Sequence, residues 1–254
     1  MAAKNPVHAL LAVETDLKNV SSKIMNEAAS TFSKKGEHFD GINKRYISED
    51  DSAVGTNNTE IKEVVTTVGK KIDYAKKAII AGLNAQLSKE ESNSSGTVNA
   101  ELIVNGVEFG KFSATSLLVL EKEIVKIRKM YEAIPTLDPA KTWLHDEQAG
   151  KGMWKTDDTV TYRTGKKEDW IVVAPATIEH PAQVKLVTKD VQVGRYLTNY
   201  QSGKITPLQK SDLLERIDAF VLAVKKARSL ANQVEAVSCK KGNKIFDFIN
   251  NGIL

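Results

Sequence analysis

One cysteine, Cys239, stands in 254 residues. The chain therefore closes no disulfide within itself and must hold its fold by burial and hydrogen bonding, as proteins of a reducing cytosol do. Aromatic residues are scarce at 6%, which excludes an aromatic core and leaves an aliphatic one rich in Leu, Val, Ile and Ala. No apolar run approaches the ~20 residues that a bilayer-spanning helix requires. The apolar stretch from Ala9 to Val13 ends at Glu14 with no small-residue cleavage site behind it, so the start of the chain does not read as a secretory signal. These absences point to a cytoplasmic protein, in which the sequons at Asn19, Asn57 and Asn93 carry no meaning.

An excess of one charge is also missing. Lys and Arg number 36 against 32 Asp and Glu, and paired lysines such as Lys34-Lys35, Lys76-Lys77 and Lys225-Lys226 are scattered along the chain. They read as solvated faces rather than as a phosphate-binding surface. The signatures of chemistry are absent as well. His8, His38, His145 and His180 lie far apart, with no metal-ligand spacing among them. Gly150-Lys151-Gly152 lacks the third glycine of a phosphate-cradling turn. No Gly-x-Ser-x-Gly elbow occurs, Cys239 has no identifiable histidine partner, and Asp157-Asp158 reads as a turn. His145-Asp146-Glu147 is the densest group of ligand-type side chains, and it falls in a polar loop. The sequence offers no catalytic, metal-binding or cofactor-binding residue and leans against an enzyme, leaving only a site assembled from dispersed residues as a third possibility.

What the chain does have is spacing. Leu213, Ile217, Phe220, Val224, Ala227, Ala231 and Val234 follow one another at intervals of 4 and 3, a heptad-like stripe on one helix face. Leu10, Val13, Leu17, Val20 and Ile24 repeat it, as do Ile61, Val65, Val68, Ile72, Ala75 and Ile79, and then Leu117, Leu120, Ile124, Ile127 and Tyr131. These stripes predict helices over 6–35, 59–90, 115–133 and 206–237. Pro6 stands at the first turn of the first, Thr59 caps the second, Gly82 weakens its later turns, and Thr206-Pro207-Leu208-Gln209 forms a capping box for the last. Asn105-Gly106 between Leu102-Ile103-Val104 and Val107-Glu108-Phe109 predicts a hairpin over 99–112 closed by a type I′ turn, with Val104 opposite Val107 and Leu102 opposite Phe109. From 136 to 203 the helical period gives way to short β-rich runs, which predict a small antiparallel sheet with Trp143, Trp154 and Trp170 in its core.

The expected fold is α+β: a long-helix bundle of about four helices with a hairpin and a small antiparallel sheet, in one domain over 1–254. A tail over 238–254 carries Ile245, Phe246, Phe248, Ile249, Ile253 and Leu254, each worth on the order of 1.5–3 kcal/mol when buried. Four stripes and this tail exceed what one small sheet covers, so the expected function is that of a self-assembling scaffold. Its homo-oligomer contacts are expected at the tail and at Leu10, Leu17 and Ile24 of the first helix. The runner-up is nucleic-acid binding by the basic, aromatic segment 143–170, through Lys151, Trp154, Lys155, Arg163, Lys166 and Lys167, since aromatic stacking beside cations holds single strands.

Several phrases resemble an uncharacterised family of bacterial proteins. They are Leu11-Ala12-Val13-Glu14 with Asp16-Leu17-Lys18, Tyr131-Glu132-Ala133-Ile134-Pro135-Thr136-Leu137-Asp138-Pro139, Ala174-Pro175-Ala176-Thr177 with His180-Pro181-Ala182-Gln183-Val184, and Leu213-Leu214-Glu215-Arg216-Ile217-Asp218 with Val224-Lys225-Lys226-Ala227-Arg228. The resemblance implies a bacterial cytosolic protein and transfers no site residue.

Overall fold

Glu14, Ser21, Met25, Ala28 and Phe32 form the buried line of the first helix, α1 (Val7–Lys34). In the computed structural model, which describes residues 7–49, 59–94 and 98–233 together with Ile245 and Phe248, that line faces α2 (Val68–Asn93). The two helices run antiparallel, since Glu14 meets Lys89 near one end and Glu27 meets Lys71 near the other. Between these ion pairs the backbones come very close: a Cβ on Gly82 would fall 2.6 Å from the Cβ of Ser21. Gly82 is thus a crossing point that admits no side chain, and its role is packing rather than weakening.

Helix α2 starts nine residues later than its stripe suggests. Thr59–Lys62 is instead a strand, β2, paired antiparallel with β1 (Asp40–Ser48). The β-branched residues around Ile61 and Val65 suit an extended chain, and both are well exposed, at 63% and 71%. The backbone N–H groups of Val65 and Thr66 donate to the His38 carbonyl, and the true N-cap is Thr67, whose hydroxyl accepts from the Lys70 N–H. Strand β1 itself, after a 3₁₀ turn over Gly36–Phe39, carries no helical or turn signature and escapes a reading based on stripes.

The hairpin forms as expected. In β3 (Asn99–Val104) and β4 (Val107–Ser113), Val104 pairs with Val107, and Asn105 and Gly106 adopt φ of 48° and 82°, the left-handed pair that a type I′ turn needs. The register then slips between Glu101 and Ile103, with Gly110 at φ 99°, so Leu102 does not face Phe109. Leu102 goes into the core, while Phe109 stacks edge-on against Phe220.

Ser113 caps α3 (Ala114–Glu132), and α4 (Pro207–Ala231) begins with the full Thr206–Gln209 capping box. They too run antiparallel, clasped by Arg128 with Asp218 and by Arg228 with Glu121. The four helices share two cores rather than one continuous four-stripe seam, with α3 reaching the α1–α2 core through Met130 and α2 reaching the α3–α4 core through Leu83 and Leu87. One core joins Met25, Phe32, Phe39, Val68, Ile79, Met130 and Ile134. The other joins Leu102, Leu117, Leu120, Val224, Ala227 and Ala231. Of the α4 stripe, Val224, Ala227 and Ala231 are buried and Leu213, Ile217 and Phe220 are part-exposed; Val234 lies outside the described residues.

The β-rich segment departs furthest from a small sheet. Two short strands, β5 (Leu144–His145) and β6 (Trp154–Lys155), are followed by two long ones, β7 (Thr159–Ala174) and β8 (Gln183–Ser202). The sheet order is β2-β1-β8-β6-β5, with β7 paired to β8. Among the described residues, no helix is long and apolar enough to cross a membrane.

Candidate assembly surface

Threonine, valine and tyrosine alternate through Thr159-Val160-Thr161-Tyr162, and valine, leucine and lysine through Val184-Lys185-Leu186, which is the period-2 pattern of an extended ribbon. Fifteen residue pairs join β7 to β8, from Thr159 opposite Thr198 to Ala174 opposite Gln183. The connecting loop between them is closed by the Thr177 N–H donating to the His180 carbonyl (2.9 Å) and the His180 N–H donating to the Thr177 hydroxyl (3.2 Å).

The root of this ribbon is well supported. Strand β1 pairs with β8 from Asp40 opposite Ser202 to Ser48 opposite Gly194. Tyr46 lies over Gly194, where any side chain would collide with its ring, and its hydroxyl donates to the Val193 carbonyl. Tyr196 packs beside Tyr46 with ring centroids 5.0 Å apart, while Arg163 and Lys44 sit over the Tyr46 and Tyr196 rings. At Val193 β8 carries one extra residue, because Arg163 pairs with Gly194 and Thr164 with Gln192. Val193 fills the space over Gly165, whose absent Cβ would lie 2.7 Å from it. Gln192 donates a hydrogen bond to Glu49.

Beyond this bulge β1 has ended, and residues 164–192 form a two-stranded arm whose extensive contacts, among the described residues, are with itself. A two-stranded ribbon is marginal in water unless something covers one face. Its side chains split cleanly by face. The even-numbered β7 residues and their partners put Val160 and Leu197 at the root, Tyr162 and Arg195 next, Lys166 and Asp190 with Glu168 at the middle, and Trp170, Leu186, Val172 and Val184 near the tip. Its charges, Lys166 and Arg195 against Glu168 and Asp190, cancel. Trp170 is 65% exposed and Val172 61%. The opposite face carries Arg163, Lys167, Lys185 and Lys189 against Asp169 alone, four positive against one negative, a net of +3; the Lys189–Asp169 pair lies there at 3.3 Å. Ile178, in the tip loop, is fully exposed.

Beside the root lies a cleft of about 860 Å³. Thr67, Gly69 and Lys70 at the start of α2 form one wall, the loop from Ala149 to Trp154 another, and Asp212 and Arg216 of α4 a third. Lys204 at its floor is held by Asp40 at 2.6 Å. Among the described residues, no hydrogen bond there joins a nucleophile to a base, and no three His, Cys, Asp or Glu side chains cluster as a metal site would need. The groups held away from their ordinary ionisation are pairing groups on helix faces. A hydrogen bond from Lys71 lowers the Glu27 carboxyl, one from Arg128 lowers that of Asp218, and burial raises the Tyr131 hydroxyl, with the charge of Asp73 adding to it.

The residues expected to bind nucleic acid do not share one surface. Lys166 and Lys167 lie on opposite faces of the ribbon, Arg163 is stacked on Tyr46, Lys155 pairs with Asp146, and Lys151 and Trp154 line the cleft. Trp154 packs edge-on against His145 and Trp143 donates to the Asp138 carbonyl, so the three tryptophans do not form a sheet core; Trp170 is the exposed one. Of the expected assembly residues, Leu10, Leu17 and Ile24 are half-buried, and Ile24 packs on the first core. Ile245 and Phe248 are helical and exposed, at 57% and 82%; Phe246, Ile249, Ile253 and Leu254 lie outside the described residues. The arm was missed as a unit because its two halves read as separate short runs. The even–odd split of Lys166, Glu168 and Trp170 from Lys167 and Asp169 was the signal that could have revealed it.

No curated protein and no solved structure matches the chain. Residues 4–252 match the profile of a family of unknown function, DUF7873, and the chain belongs to that family.

Proposed function

We propose that this member of a family without an assigned activity is a structural protein, a scaffold that builds homo-oligomers chiefly through the β7–β8 arm. One observation carries the reading: residues 164–192 leave the body as a two-stranded ribbon whose neutral face presents Trp170, Val172, Val184 and Leu186 to solvent. Exposed apolar patches of this kind mark interaction surfaces. The helix stripes contribute less than their spacing suggests, since Val224, Ala227 and Ala231 are already buried within the chain. The exposed Ile245 and Phe248 support the C-terminal tail as a second contact. The lone Cys239 supports a cytoplasmic setting.

Sedimentation velocity on the intact chain over a wide concentration range tests this. Mass is expected to rise with concentration; a constant monomer mass at several hundred micromolar rules the reading out. The basic face of the arm supports a second reading, single-stranded nucleic-acid binding, now through Arg163, Lys167, Lys185 and Lys189. Fluorescence binding of labelled RNA and DNA at low and moderate salt checks it, and absence of binding at low salt removes it.

A further inference from the structure

We infer that the partner of the arm is the arm of a second copy, packed face to face and antiparallel across a two-fold axis, so that each tip lies on the other's root. This rests on the self-assembly reading above and names its interface. The odd-numbered face, with a net charge of +3, repels a copy of itself, whereas the even-numbered face is neutral and apolar at both ends. A two-fold axis lying in the interface and across the strands sets β7 over the partner's β7 and β8 over the partner's β8, since such an axis reverses strand direction and turns the face over.

Centred on Lys166 and Asp190, this arrangement matches apolar with apolar. Val172 meets the partner's Val160 and Trp170 meets the partner's Tyr162; Val184 meets the partner's Leu197, and Leu186 covers the aliphatic part of the partner's Arg195. At the centre the two Lys166 ammonium groups sit among four carboxylates, Glu168 and Asp190 from both copies. The parallel alternative places tip on tip and root on root, and leaves the two unsupported arm ends projecting together from the assembly. Edge pairing through the open side of β7 is opposed by Lys166 and Lys167 at its centre and by the extra residue Val173 near its tip.

The contact area also sets its strength. From Val160 to Val172 the ribbon covers roughly 40 Å by 10 Å, or about 400 Å² on each copy, below the ~800 Å² per partner of a standard stable interface. Arm pairing alone therefore gives a reversible dimer, with a dissociation constant of roughly 10–1,000 μM.

The test uses full-length chains in a Cys239→Ser background. Leu186→Cys protein is mixed with Arg195→Cys protein and treated with a short bismaleimide. The antiparallel face packing joins these two positions between copies, and β7 edge pairing leaves them apart. A covalent heterodimer is expected at several times the yield of a control mixture in which Lys185→Cys, on the basic face, replaces Leu186→Cys. In parallel, Trp170→Lys is expected to weaken dimerisation by at least tenfold while circular dichroism stays unchanged, because that side chain is exposed. If sedimentation shows an oligomer but the Leu186→Cys mixture yields no more heterodimer than the control, this interface is wrong and the assembly reading survives. If the chain stays monomeric throughout, both fall.

Discussion

At Gly82 two residue-scale effects oppose each other. A glycine inside a helix ordinarily costs about 1 kcal/mol relative to alanine, so Gly82→Ala on an exposed helix would stabilise. Here the new methyl group meets the Ser21 Cβ at 2.6 Å and the Leu17 carbonyl at 3.0 Å, and forcing apart a close-packed contact costs roughly 1–3 kcal/mol. Packing wins, and Gly82→Ala is expected to lower stability by ~1 kcal/mol in urea denaturation. Adding Ser21→Gly should recover part of that loss, a positive coupling that two unrelated substitutions would not show. Asp218 offers a second test, through pH. Arg128 donates to both of its oxygens, at 2.6 and 3.1 Å, and this holds its carboxyl below the ordinary aspartate value of 3.8. A carboxyl depressed on folding contributes stability above its unfolded value and loses it as pH falls through the folded one. The stability gap between the native chain and Asp218→Asn is therefore expected to be full above pH ~5 and to close steadily below pH ~4. A gap independent of pH would show that the pair contributes nothing.

Elements whose signals are local proved legible from sequence, and elements that depend on distant partners did not. The Thr206–Gln209 capping box and the Asn105-Gly106 turn are written within four residues each, and both form as read. Because the Thr206 hydroxyl accepts the Gln209 N–H and the Gln209 side chain returns to the Thr206 N–H, Thr206→Ala is expected to cost ~1 kcal/mol of stability in denaturant unfolding. Strand β1 is held by β8, about 150 residues away in sequence, and β2 is held in turn by β1, and no spacing within either strand announces its partner. The stripe Ile61, Val65, Val68 misled for a related reason: it joins two exposed residues of an extended segment to the first buried residue of α2. Periodicity counts apolar positions and is blind to which backbone state supplies them. The face split of the arm was present in the sequence, yet it acquires meaning only once Lys166 is known to sit in a strand paired with Asp190 rather than in a turn.

For the molecule as a whole, the distribution of burial separates a body from an arm. The buried apolar side chains among the described residues include none between Leu137 and Val224, so strands β5 to β8 add nothing to the deep core. Stability should then reside in the helix pairs and the β3–β4 hairpin, and association in the arm. Removing residues 165–191 and joining Thr164 to Gln192 by Asn-Gly exploits the pairing of those two residues, which a two-residue turn can close. Because a change of 1 kcal/mol moves the melting temperature of a chain this size by about 2–4 °C, the shortened protein is expected to melt within ~4 °C of the intact one and to keep its helical circular dichroism. Its mass should no longer rise with concentration. A large fall in melting temperature would mean that the arm folds back onto its own body and stabilises it there, and the apolar face would then belong to the monomer rather than to an assembly.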